Sequence, residues 1–177
     1  IMDLGCGNGW PASYLIALGH SYTGVDINQL ELEQAARIHQ YPEASFIYWD
    51  VMMDKAPSAF QVDTVLIQAS IQYFPDLSQL LRRLQSLLAD GGAIHIIDSP
   101  VYPSPEAAEQ ARERSRVYYN QQGYPAMQAY YHHHSWESLA PFDYEVRYQP
   151  DSWLPRLKRL MGKSASPFPW IRIPKQG

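Results

Sequence analysis

The sequence predicts an α/β fold: an open, mostly parallel sheet with helices on both faces, a late antiparallel strand and an insertion after the fifth strand. Three observations lead there. Short apolar runs alternate with helical patterns over residues 1–98, a glycine-rich turn joins the first run to a helix, and an acidic residue closes each of the next two strands.

Residues 1–4 form an apolar, strand-sized run that leads into Gly5-Cys6-Gly7-Asn8-Gly9. Pro11 suits the first turn of a helix that reaches Leu18 and stops at Gly19. Residues 22–25 read as the second strand. Asn28, with Glu31 three residues on, makes a capping box for a helix toward His39. Residues 46–49 and 62–67 supply the third and fourth strands. Asp76 caps a helix on which Leu77, Leu80, Leu81, Leu84, Leu87 and Leu88 form one apolar stripe. Asp90-Gly91-Gly92 is expected to end that helix, with residues 93–97 as the fifth strand. Ser104-Pro105-Glu106 opens a further helix to about Tyr119. Residues 144–148 read as a strand, 152–161 as a helix and 170–173 as a last strand.

The chain has 177 residues, 46% hydrophobic and 18% charged, enough for one domain with its own core. A net charge of -4 offers no general attraction to nucleic acid, so none is expected as a partner. No apolar run approaches the roughly 20 residues of a membrane-spanning helix. Cys6, the single cysteine, makes no internal disulfide. The expected location is cytoplasmic; the oligomeric state stays open. Because Ile1 falls inside a strand, residues 1–177 are read as one domain lacking an N-terminal segment that helps close its site, with 99–141 as a substrate lid.

Asp3-Leu4-Gly5-Cys6-Gly7-Asn8-Gly9 has G-x-G-x-G spacing behind an acid, unlike the G-x-G-x-x-G of dinucleotide binders. A pyrophosphate calls for a bare helix N-terminus, whereas a sulfonium amino acid carries an ammonium that calls for acceptors. Asp26, ending the second strand, can accept from both hydroxyls of a ribose, and Asp50, ending the third, from an adenine amino group. Singly, each has a plain structural reading as a turn, a helix cap or a loop acid. Together, at the carboxyl ends of successive strands, they point to a ligand along that edge.

On these residues the chain resembles the class I S-adenosylmethionine-dependent methyltransferases of the small, metal-independent type, whose fold is Rossmann-like. The glycine motif matches residues 1–9, and the two ligand acids match Asp26 and Asp50. Phe60-Gln61-Val62-Asp63-Thr64-Val65 and Leu87-Leu88-Ala89-Asp90-Gly91-Gly92 match the motifs around the fourth and fifth strands. The resemblance implies S-adenosylmethionine as cofactor, with Asp3, Gly5, Cys6, Gly7 and Gly9 around its methionine part. It implies Asp26 and Ile27 on the ribose, Asp50 and Val51 on the adenine, and Gln68 near cofactor or acceptor. Trp10, bulky after the glycines, would narrow the entrance. The implied reaction is in-line methyl transfer to a small-molecule or lipid-like acceptor, which needs no enzyme nucleophile or triad. A non-catalytic cofactor-binding or assembly module is the competing reading; a nicotinamide oxidoreductase is disfavoured by the glycine spacing.

For the acceptor, Tyr73, Tyr102, Tyr130 and Tyr131 are the expected lining, in a region that also holds Tyr118, Tyr119 and Tyr124. Aromatic walls would exclude water and favour a sulfonium by cation–π attraction; ordinary packing under a long loop is the alternative. Adjacent side chains seldom converge on one ion, so His132-His133-His134 is expected at the surface or a pocket rim, one of them a candidate general base, with no metal. Arg112, Arg114 and Arg116 are expected to form a solvated face with Glu109 and Glu113.

Overall fold

The alternating apolar runs become strands whose order places the site. In a computed structural model, which describes residues 1–153 and 164–176, the elements are β1 (Met2–Leu4), α1 (Ala12–Ala17), β2 (Tyr22–Asp26), α2 (Gln29–Ile38), β3 (Ala44–Tyr48), β4 (Val62–Gln68), α3 (Leu77–Gln85), β5 (Leu88–Ile97), β6 (Val101–Tyr102), α4 (Pro105–Gln121), β7 (His134–Ser135), β8 (Glu145–Tyr148) and β9 (Trp170–Pro174). The main sheet runs β3-β2-β1-β4-β5-β9-β8. Its first five strands are parallel, while β9 lies antiparallel to β5 and β8 antiparallel to β9. Chain order reverses between β1 and β4, the switch point beyond whose strand carboxyl ends open parallel sheets bind their ligands. With this strand order, the right-handed crossover rule for parallel strands puts α1 and α2 on one face and α3 on the other.

The helix starts follow their caps. Asn28 accepts from the Glu31 N–H at 3.3 Å, Asp76 from the Gln79 N–H at 2.8 Å and Ser104 from the Ala107 N–H at 3.3 Å. From α3, Leu77, Leu80, Leu81 and Leu84 are buried against Val65, Ile67, Ile94, Ile96, Ile171 and Ile173. Each such side chain contributes about 1.5–3 kcal/mol of burial. That packing fixes α3 against β4, β5 and β9.

The structure departs from the expected boundaries in three places. Asp90-Gly91-Gly92 does not end α3, which stops at Gln85; β5 runs through the three residues as a bulge. Val62 pairs with Leu88 while Thr64 pairs with Ala93, and Gly91 takes up the extra length at φ 78. Leu87 and Leu88 are therefore buried at the strand end and not on the helical stripe. Between β3 and β4 the strand–helix alternation lapses: residues 49–61 form turns and loop. The insertion is no loose flap either. Its strands β6 and β7 pair, the Ser78 hydroxyl donates to the Ser138 carbonyl at 2.7 Å, and Leu139 joins the core. The expected helix at 152–161 falls almost wholly on 154–163, outside the described residues. Among the described residues no helix is long and apolar enough to cross a membrane.

Candidate functional site

The first part of the site is a ledge made by the turn after β1. The Ser70 hydroxyl donates to the Leu4 carbonyl at 2.7 Å and brings the loop after β4 against that turn. A Cβ on Gly5 would sit 2.7 Å from the Ser70 Cβ, and one on Gly9 would sit 2.6 Å from the Phe46 ring. Packing thus demands glycine at both. At Gly7 the nearest atom to such a Cβ is a Glu31 carboxylate oxygen at 3.9 Å, so backbone here faces open space where a ligand can approach.

Carboxylates surround this turn. Asp26 accepts from the Gly7 N–H on one oxygen and from the Asn28 N–H on the other, both at 2.8 Å. Each oxygen keeps a second lone pair for a ligand hydroxyl. Since Asp26 takes the Asn28 N–H, the capping box closes on one side only, and Glu31 stays at the ledge. Asp3 lies beneath the ledge, 2% exposed, and accepts from the Tyr22 hydroxyl at 2.6 Å. Burial pushes its carboxyl up to about 6; the Tyr22 hydrogen bond opposes that and the Asp26 charge adds to it. Burial, then the charges of Asp3, Asp26 and Glu31, raise the Cys6 thiol as well.

Several expected contacts change character. Cys6 is buried, its sulfur close to Gly24, so its side chain packs under the turn and does not line it. The Val51 side chain belongs to the core. Asp50 accepts from the Met52 and Met53 N–H groups at 2.9 and 3.2 Å through one oxygen and so caps its own turn; the other oxygen has no partner among the described residues. Ile27 and Trp10 are exposed. The Gln68 amide donates to Asp98 at 3.0 Å along the same sheet edge.

A second part lies beyond the loop after β4, in the insertion. The His132 N–H donates to the Gln72 carbonyl at 2.7 Å, and the His134 ring bonds the Ile71 carbonyl at 3.1 Å. These bonds pin the insertion to Ile71–Tyr73, a single 3-10 turn. Tyr131 stands at the centre, with ring centroids 6.2 Å from Tyr73, 6.0 Å from Tyr119 and 5.2 Å from His133; Tyr102 is 5.6 Å from His133. An open cavity of about 320 Å³ is lined by Tyr102, Ala111, Arg114, Ser115, Tyr118, Tyr119 and Tyr131.

Three expectations are corrected here. Tyr130 is 65% exposed and, among the described residues, shares no ring contact with the group. His133 and His134 are buried within the insertion, not set at its surface, and burial lowers both imidazoles. Arg112 and Arg116 do pair with Glu109 and Glu113, whereas Arg114 turns to the cavity. Among the described residues no cluster of His, Cys, Asp and Glu is placed to hold a metal.

The family model of the methyltransferase domain matches residues 2–94, which include the whole ledge and the loop after β4. The chain belongs to that family. The trans-aconitate 2-methyltransferase of Enterobacter sp. is 35% identical over 143 residues, 74% of this chain and 52% of that protein. A phthiotriol/phenolphthiotriol dimycocerosates methyltransferase of Mycobacterium ulcerans is 30% identical over 112 residues, 62% of this chain and 40% of its own. The plantazolicin methyltransferase BpumL, solved with SAH, superposes with a TM-score of 0.66 over 99% of this chain and 75% of its own; at 16% identity this is a likeness of fold. The chain spans between 40% and 52% of the length of the curated relatives it matches.

The methyltransferase-domain match ends before α4, and the residues missed from sequence lie mostly past that point. Sequence pattern gives no sign of Ser115 in the site and puts Arg114 on a solvated face; it brings Tyr119 and the His132-His133-His134 run only to the acceptor region, without singling out Tyr119 or His133. Helical spacing held a signal for part of this: Ala111, Ser115 and Tyr118 follow one another at four and three residues on one face of α4. Sequence spacing marks Glu31 as a capping residue only. Its place at the ledge depends on Asp26 occupying the Asn28 N–H.

Proposed function

We propose that this chain transfers a methyl group from S-adenosylmethionine to a small-molecule or lipid-like acceptor seated against the tyrosine pocket. One observation carries the reading: Asp3, Asp26 and Glu31 surround an open glycine turn. Such a negative field favours a ligand with a sulfonium and an ammonium and opposes a pyrophosphate. The residues present fit that cofactor. Gly7 leaves room beside the turn, Asp26 offers lone pairs for ribose hydroxyls, and the second Asp50 oxygen is available to an adenine amino group. Ile27 supplies an exposed apolar edge, and the buried charge of Asp3 balances a cation above it.

When bound, the cofactor supplies a methyl group already activated by positive sulfur. The chain's part is alignment and exclusion of water, and good positioning contributes about 7–11 kcal/mol. Ser70 and the Ile71–Tyr73 turn join the ledge to the insertion, and Tyr73 touches Tyr131 across that join. Residues 99–141 then serve as the acceptor-side cover of a single domain. The acceptor class draws support from relatives named for trans-aconitate and for phthiotriol.

The test is calorimetry with S-adenosylhomocysteine. Asp26→Ala should weaken binding by about 1.5–3 kcal/mol, the scale of losing charge-assisted hydrogen bonds. Thermal denaturation of the same variant controls for the loss of the Gly7 and Asn28 bonds. Unchanged affinity in a folded Asp26→Ala protein would refute the ribose assignment. Formation of S-adenosylhomocysteine in the presence of cell metabolites separates turnover from mere cofactor binding.

A further inference from the structure

Three arginines alternate along α4, and their partners differ. Arg112 pairs with Glu109 at 2.9 Å, and Arg116 forms a two-pronged pair with Glu113. At the corresponding position, three residues before Arg114, stands Ala111. Arg114 has no ion pair or hydrogen bond among the described residues; it lines the cavity with Tyr102, Tyr118, Tyr119 and Tyr131. Burial raises the Tyr102 hydroxyl and the Arg114 charge opposes that rise; burial lowers the His133 ring, and the charges of Arg112, His134 and Arg114 add to it.

The other lining residues carry no acidic group to offset it, and behind Tyr102, Ser115 and Tyr131 stands His133. His133 is 8% exposed and held toward the neutral form by burial; its Nε2 shares a 3.0 Å hydrogen bond with the Ser115 hydroxyl, and its Nδ1 has no partner. The tyrosine rings offer flat apolar faces, and their hydroxyls can donate at the rim. A lone guanidinium over such a surface matches one planar anion, since its forked N–H groups meet both oxygens of a carboxylate. A single positive charge is a poor match for a diphosphate.

We infer that the pocket binds a carboxylate-bearing acceptor, with Arg114 on the carboxylate and the apolar or planar body against Tyr119 and Tyr131. This deepens the reading above by naming the acceptor's class and rests on that pocket being the acceptor site. The carboxylate is an anchor, and the methylated atom is left unassigned.

The probes are cinnamate and decanoate, each beside its own amide, titrated at low salt by ligand-observed saturation-transfer NMR. Wild type should prefer at least one acid over its amide by about tenfold, the scale of one charge-assisted contact. Arg112→Gln should keep that preference and Arg114→Gln should abolish it, with both variants melting near wild type. Failure of both acids to bind, equal binding of acid and amide, or a preference that survives Arg114→Gln would overturn the inference. Calorimetry with S-adenosylhomocysteine is run separately. Lost cofactor binding beside an intact carboxylate preference would refute the methyl-transfer reading while upholding the anion site; the reverse pattern would refute the anion site alone.

Discussion

The glycine ledge and the tyrosine pocket share one sheet edge, yet they are built in opposite ways. The ledge is five consecutive residues braced by Asp26 and Ser70, and its charge comes from carboxylates. The pocket draws on the loop after β4, on β6, on α4 and on the chain around Tyr131, and its one cationic side chain is Arg114, with the His133 ring behind Tyr131 and Tyr102 lowered by burial. The ledge is shaped by backbone and the pocket by side chains from four segments. A change at the ledge should therefore act on stability or cofactor affinity, and a change in the pocket on acceptor use.

The largest expected effect divides the ledge itself. Gly9→Ala meets the Phe46 ring and a left-handed backbone at φ 68, and should cost about 2–5 kcal/mol of stability. Gly7→Ala has only the backbone cost, about 1–2 kcal/mol, yet should lose affinity for S-adenosylhomocysteine. Urea denaturation and calorimetry read the two quantities separately. Equal destabilisation by both substitutions would erase the distinction between packed and open glycines.

Next in size is a contrast in pH dependence. The folded chain raises Asp3 from 3.8 to about 6, so it holds a proton that the unfolded chain has released. This contribution is complete below 3.8, declines as pH rises toward 6 and is absent above. Asp3→Asn removes the decline and should add about 2–3 kcal/mol of stability above that window. His133 and His134 act in the other direction. Their values are lowered from 6.5, so their contribution is present above 6.5 and is lost as pH falls below it. His134→Gln should flatten the acid side of the stability curve, and denaturation from about pH 4 to 8 measures both slopes. A curve unchanged by either substitution would mean that neither burial governs stability.

Smaller effects sharpen the pocket. Tyr131→Ala should lower turnover about tenfold, roughly 1.4 kcal/mol of positioning, with cofactor affinity nearly unchanged. Loss of cofactor affinity with acceptor kinetics intact would place Tyr131 at the wrong ligand. Tyr130→Ala, on an exposed ring, should stay within about 0.5 kcal/mol in melting experiments and leave turnover alone.

Local chemistry was open to reading wherever the partners lie within a few residues. Asn28 with Glu31, Asp76 with Gln79 and Ser104 with Ala107 each satisfy an N–H three residues on, so the caps and helix starts follow from residue type. The leucine stripe of α3 and the glycine turn depend likewise on spacing alone. Asp90-Gly91-Gly92 is ambiguous in sequence because both a helix end and a strand bulge call for glycine; the pairing of Thr64 with Ala93 makes it a bulge.

Residue spacing alone carries the alternation of strands and helices as far as the start of α4, apart from the bulge in β5 and the short β6, together with the ledge and the acids at the strand ends, because each arises from neighbouring residues obeying backbone geometry. Tertiary structure alone decided that Asp3 is a buried acid, that Cys6 and Val51 turn inward, that Tyr131 and not Tyr130 faces the pocket, and that Arg114 leaves its helix neighbours for the tyrosines. Those outcomes depend on contacts between residues far apart in the chain, such as Tyr22 with Asp3, Tyr73 with Tyr131, and Gln72 with His132. Burial and charge balance are set by what the fold brings alongside a residue, and no local spacing records that.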